Sequence, residues 1–207
     1  MRFDKEFYLQ DAVTLSKALL GHLLVRNVDG QEIVCRIVET EAYVGPEDKG
    51  CHAYQNKRTK RTETMFLPGG HAYIYLIYGM YYCLNVVARI QDIPEAVLIR
   101  AVEPLKGMDL IKKNRPMKTY KPENLTNGPG KLCKALKIER ELNGCDLIKS
   151  NDLFLVKDGT FQVSEIISTK RINIDYAEEY IDKPWRFYIK GNRWVSVNKY
   201  GSSKCAL

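Results

Sequence analysis

Residues 22–45 read HLLVRNVDGQEIVCRIVETEAYVG. Two apolar, β-branched runs flank Asp29-Gly30, a dipeptide that tolerates the positive φ of a tight hairpin turn, so the stretch predicts two antiparallel strands. The second run is the longer. Strict alternation over 33–44 places Ile33, Cys35, Ile37, Glu39, Glu41 and Tyr43 on one face and Val34, Val38, Ala42 and Val44 on the other. Both faces are largely apolar, so this strand is expected in the middle of a sheet. Two glutamates at its end are then hard to solvate. Each needs a cationic partner or a place at the mouth of a pocket. Asp48 and His52 follow in GPEDKGCHAY (45–54). Three readings of these groups stand open: metal ligands, a carboxylate pair of the kind glycosidases use, or a strand end paired with arginine.

The flanking sequence supplies the rest of a sheet. DAVTLSKALLG (11–21) predicts a helix capped by Asp11 and stopped by Gly21. Residues 45–70 read as loop. HAYIYLIYGMYYCLNVVAR (71–89) predicts a strand, a turn at Gly79 and a second strand, and EAVLIRAVEP (95–104) a third. Leu105, Met108 and Ile111 have helical spacing within 104–115, and NGPGKLCKALKI (127–138) opens a helix with Gly and Pro at its head. NDLFLVKDGTFQVSEIIS (151–168) reads as a further hairpin about Asp158-Gly159. DYAEEY (175–180) has the Asp175/Glu178 spacing of a capping box, and WRFYIKGNRWVSV (185–197) closes the sheet. No repeat, low-complexity tract or linker interrupts the chain. The expected fold is α+β, one domain over residues 1–207, with a curved, mainly antiparallel sheet flanked by helices.

Composition narrows the class. At 207 residues with 45% apolar content, the chain is long enough to bury a sizeable core. No stretch approaches the roughly 20 apolar residues that span a bilayer. The opening MRFDKEFYLQDAV carries acids and no apolar run of the signal-peptide kind. The six cysteines are dispersed, without C-x-x-C pairs or zinc spacing, and the three histidines are too spread for a His-built metal site. A reduced, cytoplasmic protein with structural cysteines is expected. The formal charge of +7 is compatible with a polyanionic partner or with an ordinary basic surface.

Chemistry concentrates in a few places. Tyr73, Tyr75, Tyr78, Tyr81 and Tyr82 crowd one segment. Tyr73 and Tyr75 share a strand face and Tyr78 lies at the turn. Such tyrosines are either core or a stacking cage for flat, cationic or unpaired rings. Arg100, inside AVLIRAV, requires a carboxylate or phosphate, and Glu39 and Glu41 are the natural candidates. Basic residues gather at Lys57, Arg58, Lys60 and Arg61, and again at Lys106, Lys112, Lys113, Arg115, Lys118 and Lys121. With Lys131 in the first turn of the Gly-Pro-headed helix, these suit a phosphate backbone. A ring-stacking pocket, a carboxylate able to activate water and a basic rim together fit an enzyme acting on an extruded base.

RIVETEAYVGPEDKGCHAY, GGHAYIYLIYGMYYCLN, VLIRAVEP, NGPGKLCKAL and RFYIKGN occur in this order over about residues 8–200. They strongly resemble the alkyladenine (3-methyladenine) DNA glycosylase family, in its short bacterial form. The resemblance implies a hydrolase of base excision repair that needs no cofactor. It would act as a monomer, in the bacterial cytoplasm, on double-stranded DNA carrying alkylated or deaminated purines. It implies that Glu41 is the general base activating the attacking water, and that Arg100 and the carbonyl of Ile172 help hold that water. Tyr43, His52 and Tyr75 would sandwich and read the base, Tyr73 would support that wall, and Asn85 would crowd the exocyclic amine of guanine. Tyr78 would wedge into the duplex with Met80 and Tyr81 beside it, while Lys57 and Lys131 would contact DNA. Glu39 becomes a supporting residue. The family often has glycine where this chain has Asn173. No lysine stands out as a Schiff-base nucleophile, so a monofunctional enzyme is expected. Two other readings use the same residues. One is a non-catalytic nucleic-acid-binding module akin to the C-terminal domain of a formyltransferase. The other is a metal-dependent hydrolase built on Glu39, Glu41, Asp48 and His52.

Overall fold

The computed structural model describes residues 1–117 and 121–196. Two short helices open it, α1 (Lys5–Tyr8) and α2 (Ala12–Ala18). Asp11 caps α2 by accepting from the amides of Val13 and Thr14. β1 (Leu23–Val28) and β2 (Gln31–Tyr43) follow as the expected hairpin, turned by Asp29 and Gly30 at φ 49° and 75°. A loop holding three 3₁₀ turns (Gly45–Glu47, Tyr54–Asn56, Glu63–Phe66) leads to β3 (Ala72–Ile77), β4 (Tyr81–Ala88) and β5 (Glu95–Lys106), a meander. Then come α3 (Met108–Asn114), α4 (Pro129–Ala135), β6 (Leu153–Val156), β7 (Ile166–Thr169) and β8 (Arg186–Ile189).

The strands form a curled sheet in the order β3-β4-β5-β2-β1-β6, with β8 joining β2 and β7 joining β8. Every pairing is antiparallel. Helix α2 lies on β2 and β5, and α4 on β4 and β5, so the α+β expectation holds. β2 is central. β5 runs along one edge, while β1 and then β8 share the other, β1 meeting residues 31–36 and β8 residues 39–41. Among the described residues no helix is long and apolar enough to cross a membrane.

The fork in β2 corrects the simple alternation expected of it. Register with β5 slips at Val38, which has no partner, and slips back at Arg100, the extra residue on β5. Each bulge inserts one residue and reverses the side-chain alternation beyond it. Ile33, Cys35 and Ile37 therefore share the main core with Val38 and Ala42, while the hydroxyl of Thr40 donates to the Ser16 carbonyl of α2. Glu39, Glu41 and Tyr43 face the other way. They do not share a face with Ile33, Cys35 and Ile37.

Three further expectations are corrected. Residues 151–168 make no hairpin: β6 pairs with β1, and β7 pairs with β8. The Asp158-Gly159 turn exists, but Asp158 spends its carboxylate on Thr160, Phe161 and Arg36, and the chain crosses to a new strand. Asp175 caps no helix in DYAEEY; Glu178 sits at φ 48° in a single 3₁₀ turn and its carboxylate meets Lys49. Leu105 belongs to β5, because the chain turns at Gly107 (φ 83°), where an added Cβ would lie 2.9 Å from the Glu32 carbonyl oxygen. Cys35, Cys51, Cys83, Cys133 and Cys145 are free thiols, the first four buried. Cys205, Lys118 and Val197 lie outside the described residues.

Candidate active site

Glu39 and Glu41 are each 0% exposed. Arg100 stands between them, its Nε donating to Glu39 Oε1 at 3.1 Å and a terminal nitrogen to Glu41 Oε2 at 3.2 Å. Burial opposes the Arg100 charge, but Glu41 and Glu39 outweigh it and hold the guanidinium ionised. From there the two acids differ. Glu39 accepts four hydrogen bonds, from Arg100, from Arg186 Nε (2.6 Å), and from the Ser196 hydroxyl (2.8 Å) and amide (2.7 Å). Burial pushes its pKa up, but Arg100, Arg186 and the Ser196 amide prevail and hold it below the ordinary carboxylate value. Glu41 accepts three, from Arg100, from the Tyr43 hydroxyl (3.0 Å) and from the Ile172 amide (2.8 Å). A carboxylate offers about four acceptor positions. Counted by oxygen, Glu39 takes three donors on Oε1 and one on Oε2, and Glu41 takes two on Oε2 and one on Oε1.

Beside Glu41 lies a cavity of about 340 Å³, lined among others by Tyr43, His52, Tyr73, Tyr75, Asn85, Arg100 and Ile172. Every residue expected in the base pocket is therefore on its wall. Glu41 sits one layer beneath, held by three residues that line the space. The register of β3 with β4 puts the Tyr73 and Tyr75 rings side by side, centroids 5.3 Å apart. His52 closes against Tyr75 edge-on at 4.5 Å and shares a 3.0 Å hydrogen bond with the Tyr73 hydroxyl through Nδ1. Burial, with the Arg61 charge second, pushes the His52 pKa down to about 4, so the ring is neutral near pH 7. Asn85 donates to the Tyr73 carbonyl and is fixed by it.

The segment that carries Ile172 is anchored by a pair the sequence reading missed. Arg171 makes a two-pronged contact with Asp48, at 2.5 and 2.7 Å, and also donates to the Ala42 carbonyl. Both side chains are 0% exposed. The guanidinium lies between the rings of Tyr43 (4.8 Å) and Trp185 (5.1 Å). Asp48 in turn accepts from the Val44 and Gly50 amides, which folds the Gly-Pro loop back over β2. An added Cβ at Gly50 would come within 2.8 Å of Arg171, so that position needs glycine. The next residue, Asn173, also lines the cavity at φ 59°. That left-handed backbone favours glycine and tolerates asparagine best among side-chain residues, which accounts for the exchange at this position. Arg186 is the other missed partner; an arginine in an apolar strand was its only signal.

At the rim, the β3–β4 turn projects outward. Tyr78 is 73% exposed, Met80 66% and Tyr81 45%, and Tyr78 reaches the cavity mouth. An added Cβ at Gly130 would lie 2.9 Å from Tyr81 Cβ, so the head of α4 packs directly on this turn. Lys131 is partly buried there and donates to Asn127 Oδ1. Lys57 is exposed beside His52, in a shallow depression next to the cavity. Arg58 is drawn away from the basic cluster by Glu63 and Asp92. Asp48 is committed to Arg171. Among the described residues no group of three or more His, Cys, Asp or Glu side chains is placed to hold a metal ion.

A sequence profile of the family described as Methylpurine-DNA glycosylase (MPG) matches residues 6–193. A protein of Natranaerobius thermophilus is 58% identical over 198 residues, covering 96% of this chain and 100% of its own length. One from Clostridium acetobutylicum is 50% identical over 205 residues, covering 96% and 99%. One from Clostridioides difficile is 48% identical over 201 residues, covering 90% and 100%. All three bear names that include "3-methyladenine DNA glycosylase".

Proposed function

The chain belongs to the methylpurine-DNA glycosylase family, and from that premise we propose how its site cleaves the N-glycosidic bond. It is a DNA glycosylase of DNA repair, an N-glycosyl hydrolase of the 3-methyladenine type. A damaged purine nucleotide is extruded from the duplex, and Tyr78, flanked by Met80 and Tyr81, fills the gap it leaves. Lys57 and Lys131 contact the DNA backbone. The base enters the cavity between Tyr43, His52 and Tyr75, with Tyr73 behind the wall and Asn85 excluding an exocyclic amine. Water binds at the acceptor position that Glu41 keeps free. Its oxygen bonds to C1′ as the C1′–N bond breaks; the bond's electron pair leaves with the base and Glu41 takes the water proton. Arg100 and Ile172 hold the carboxylate and orient the water. An alkylpurine that is already cationic leaves neutral, needs no acid, and is attracted by the aromatic walls.

The observation that supports this reading is the placing of Glu41 against the cavity: all three of its donors line that space, whereas Arg186 and Ser196, which hold Glu39, do not. The enzyme works without a metal or other cofactor, as a monofunctional hydrolase with no lyase step. It is a monomer of one domain over residues 1–207 in the bacterial cytoplasm. The test is release of free base from methylated duplex DNA by wild type and Glu41→Gln, with DNA affinity measured alongside. Wild type releases base in the presence of EDTA and leaves the abasic strand uncut, and no adduct is trapped by borohydride. Glu41→Gln binds and releases base about 10³-fold more slowly. Binding without release by both proteins sinks the proposal.

A further inference from the structure

Arg61 lies in the loop between β2 and β3, exposed on its outer side and lining the same cavity as Tyr43, His52 and Tyr75. Its guanidinium carbon stands 5.2 Å from the centroid of the Tyr75 ring. Its charge reaches His52 and the Tyr73 hydroxyl. The neighbouring Arg58 is neutralised by Glu63 and Asp92. Among the described residues Arg61 has no carboxylate within ion-pair distance. An uncompensated cation is thus held beside the aromatic wall where a flipped base would stack.

Such a cation acts oppositely on two kinds of base. A purine alkylated on the ring is cationic in the ground state, and Arg61 repels it while occupying the ring that would attract it. A neutral purine gains negative charge as C1′–N9 breaks, because the electron pair stays on N9. A fixed positive charge near that ring favours the transition state over the ground state. The guanidinium cannot give up its proton, so it acts through its field and its hydrogen bonds, not as a general acid. The purine departs as the anion and takes its proton from solvent, while Glu41 retains the proton from the attacking water.

We infer that Arg61 is a specificity-determining residue, stabilising the departing base of neutral purines at the expense of cationic alkylpurines. This inference rests on the assignment of Glu41 and the adjoining cavity given above. It is tested by single-turnover release of hypoxanthine and of 7-methylguanine from otherwise identical duplexes. Arg61→Met slows hypoxanthine release on the order of tenfold, less than the loss of a fully enclosed electrostatic stabiliser because the site is partly solvated. The same change speeds 7-methylguanine release about threefold, as expected for lifting repulsion at an exposed ring. Arg61→Lys, which keeps the charge and loses the planar stacking, falls between. Lys60→Met, a neighbouring charge outside the cavity, shifts both substrates together through DNA affinity. Arg61→Met behaving like Lys60→Met reduces Arg61 to a phosphate contact and overturns the inference, as does no change on either substrate. Glu41→Gln separates the two claims: release by that variant within about tenfold of wild type breaks the general-base assignment, whatever Arg61 does.

Discussion

Glu39 and Glu41 leave β2 two residues apart, on the same face, equally buried, and bridged by one arginine. Their surroundings diverge. Around Glu39 the fold closes a knot of four donors from Arg100, Arg186 and Ser196, three of them on Oε1, away from the cavity wall but for Arg100. Around Glu41 it builds a frame of three donors against a cavity and stops one short. Burial and an arginine partner are common to both sites, so neither identifies a catalytic acid. What sets Glu41 apart is that every residue holding it lines the cavity.

The widest test of this contrast is the exchange of each acid for its amide. Glu41→Gln is expected to lower base release by about 10³-fold, within the range for loss of a general base, with the smaller effect on stability. Glu39→Gln does the reverse. It leaves Arg186 buried without its carboxylate and costs about 3–5 kcal/mol in urea unfolding, while the folded fraction still releases base. Equal stability losses in the two variants would erase the distinction. Arg171→Met probes the frame without touching either acid. Asp48 is left buried and unpaired, at a cost of about 3 kcal/mol. Base release falls about tenfold as the Ile172 amide loses its anchor, because small misplacements at a reacting centre are costly. An unchanged rate with lowered stability would make the clamp purely structural.

The smallest effect is the most specific. The His52 pKa lies at about 4 against an ordinary 6.5, through burial and then the Arg61 charge. Between those values the unfolded chain binds a proton that the folded chain refuses. Stability therefore falls as pH drops through that window, with a slope approaching ~1.4 kcal/mol per pH unit, and is indifferent to His52 above it. His52→Gln flattens that part of the curve, leaving the share of His22, which burial also lowers. Glu39 acts lower on the scale. Its folded pKa is depressed, so its contribution is complete above the ordinary carboxylate value and is lost as pH falls below it. An unchanged pH–stability curve in His52→Gln would remove His52 from the buried wall.

What could be read from the sequence was local. Asp29-Gly30 announced its hairpin, Asp11 its cap, and the spacing of Tyr73 and Tyr75 their shared face, since each depends on neighbours within a few residues. Arg100 could be matched to Glu39 and Glu41 because a charge on an apolar strand must find its opposite. Arg171 and Arg186 could not be matched in advance. Their partners lie 123 and 147 residues away, and several arginines competed for the same acids. The hairpin expected at Asp158-Gly159 failed because a turn signal states that the chain bends, not which strand it then joins. Alternation across β2 failed for a similar reason: a bulge is a property of the backbone ladder, and Val38 looks like any other strand residue.

That unpaired valine has a consequence for how this protein can change. β2 is written in two phases, and Val38 is the frameshift between them. Upstream, odd-numbered positions belong to the core; downstream, even-numbered ones do. Were the ladder regular with Val38 still present, strict alternation would turn both glutamates into the hydrophobic interior and deliver Thr40 and Ala42 to Arg100. Arg100 is the compensating frameshift on the neighbouring strand. Because Val38 pairs with nothing, that one position can be lost with every pairing of β2 and β5 kept, whereas a residue lost from the paired positions beyond it would exchange the two faces.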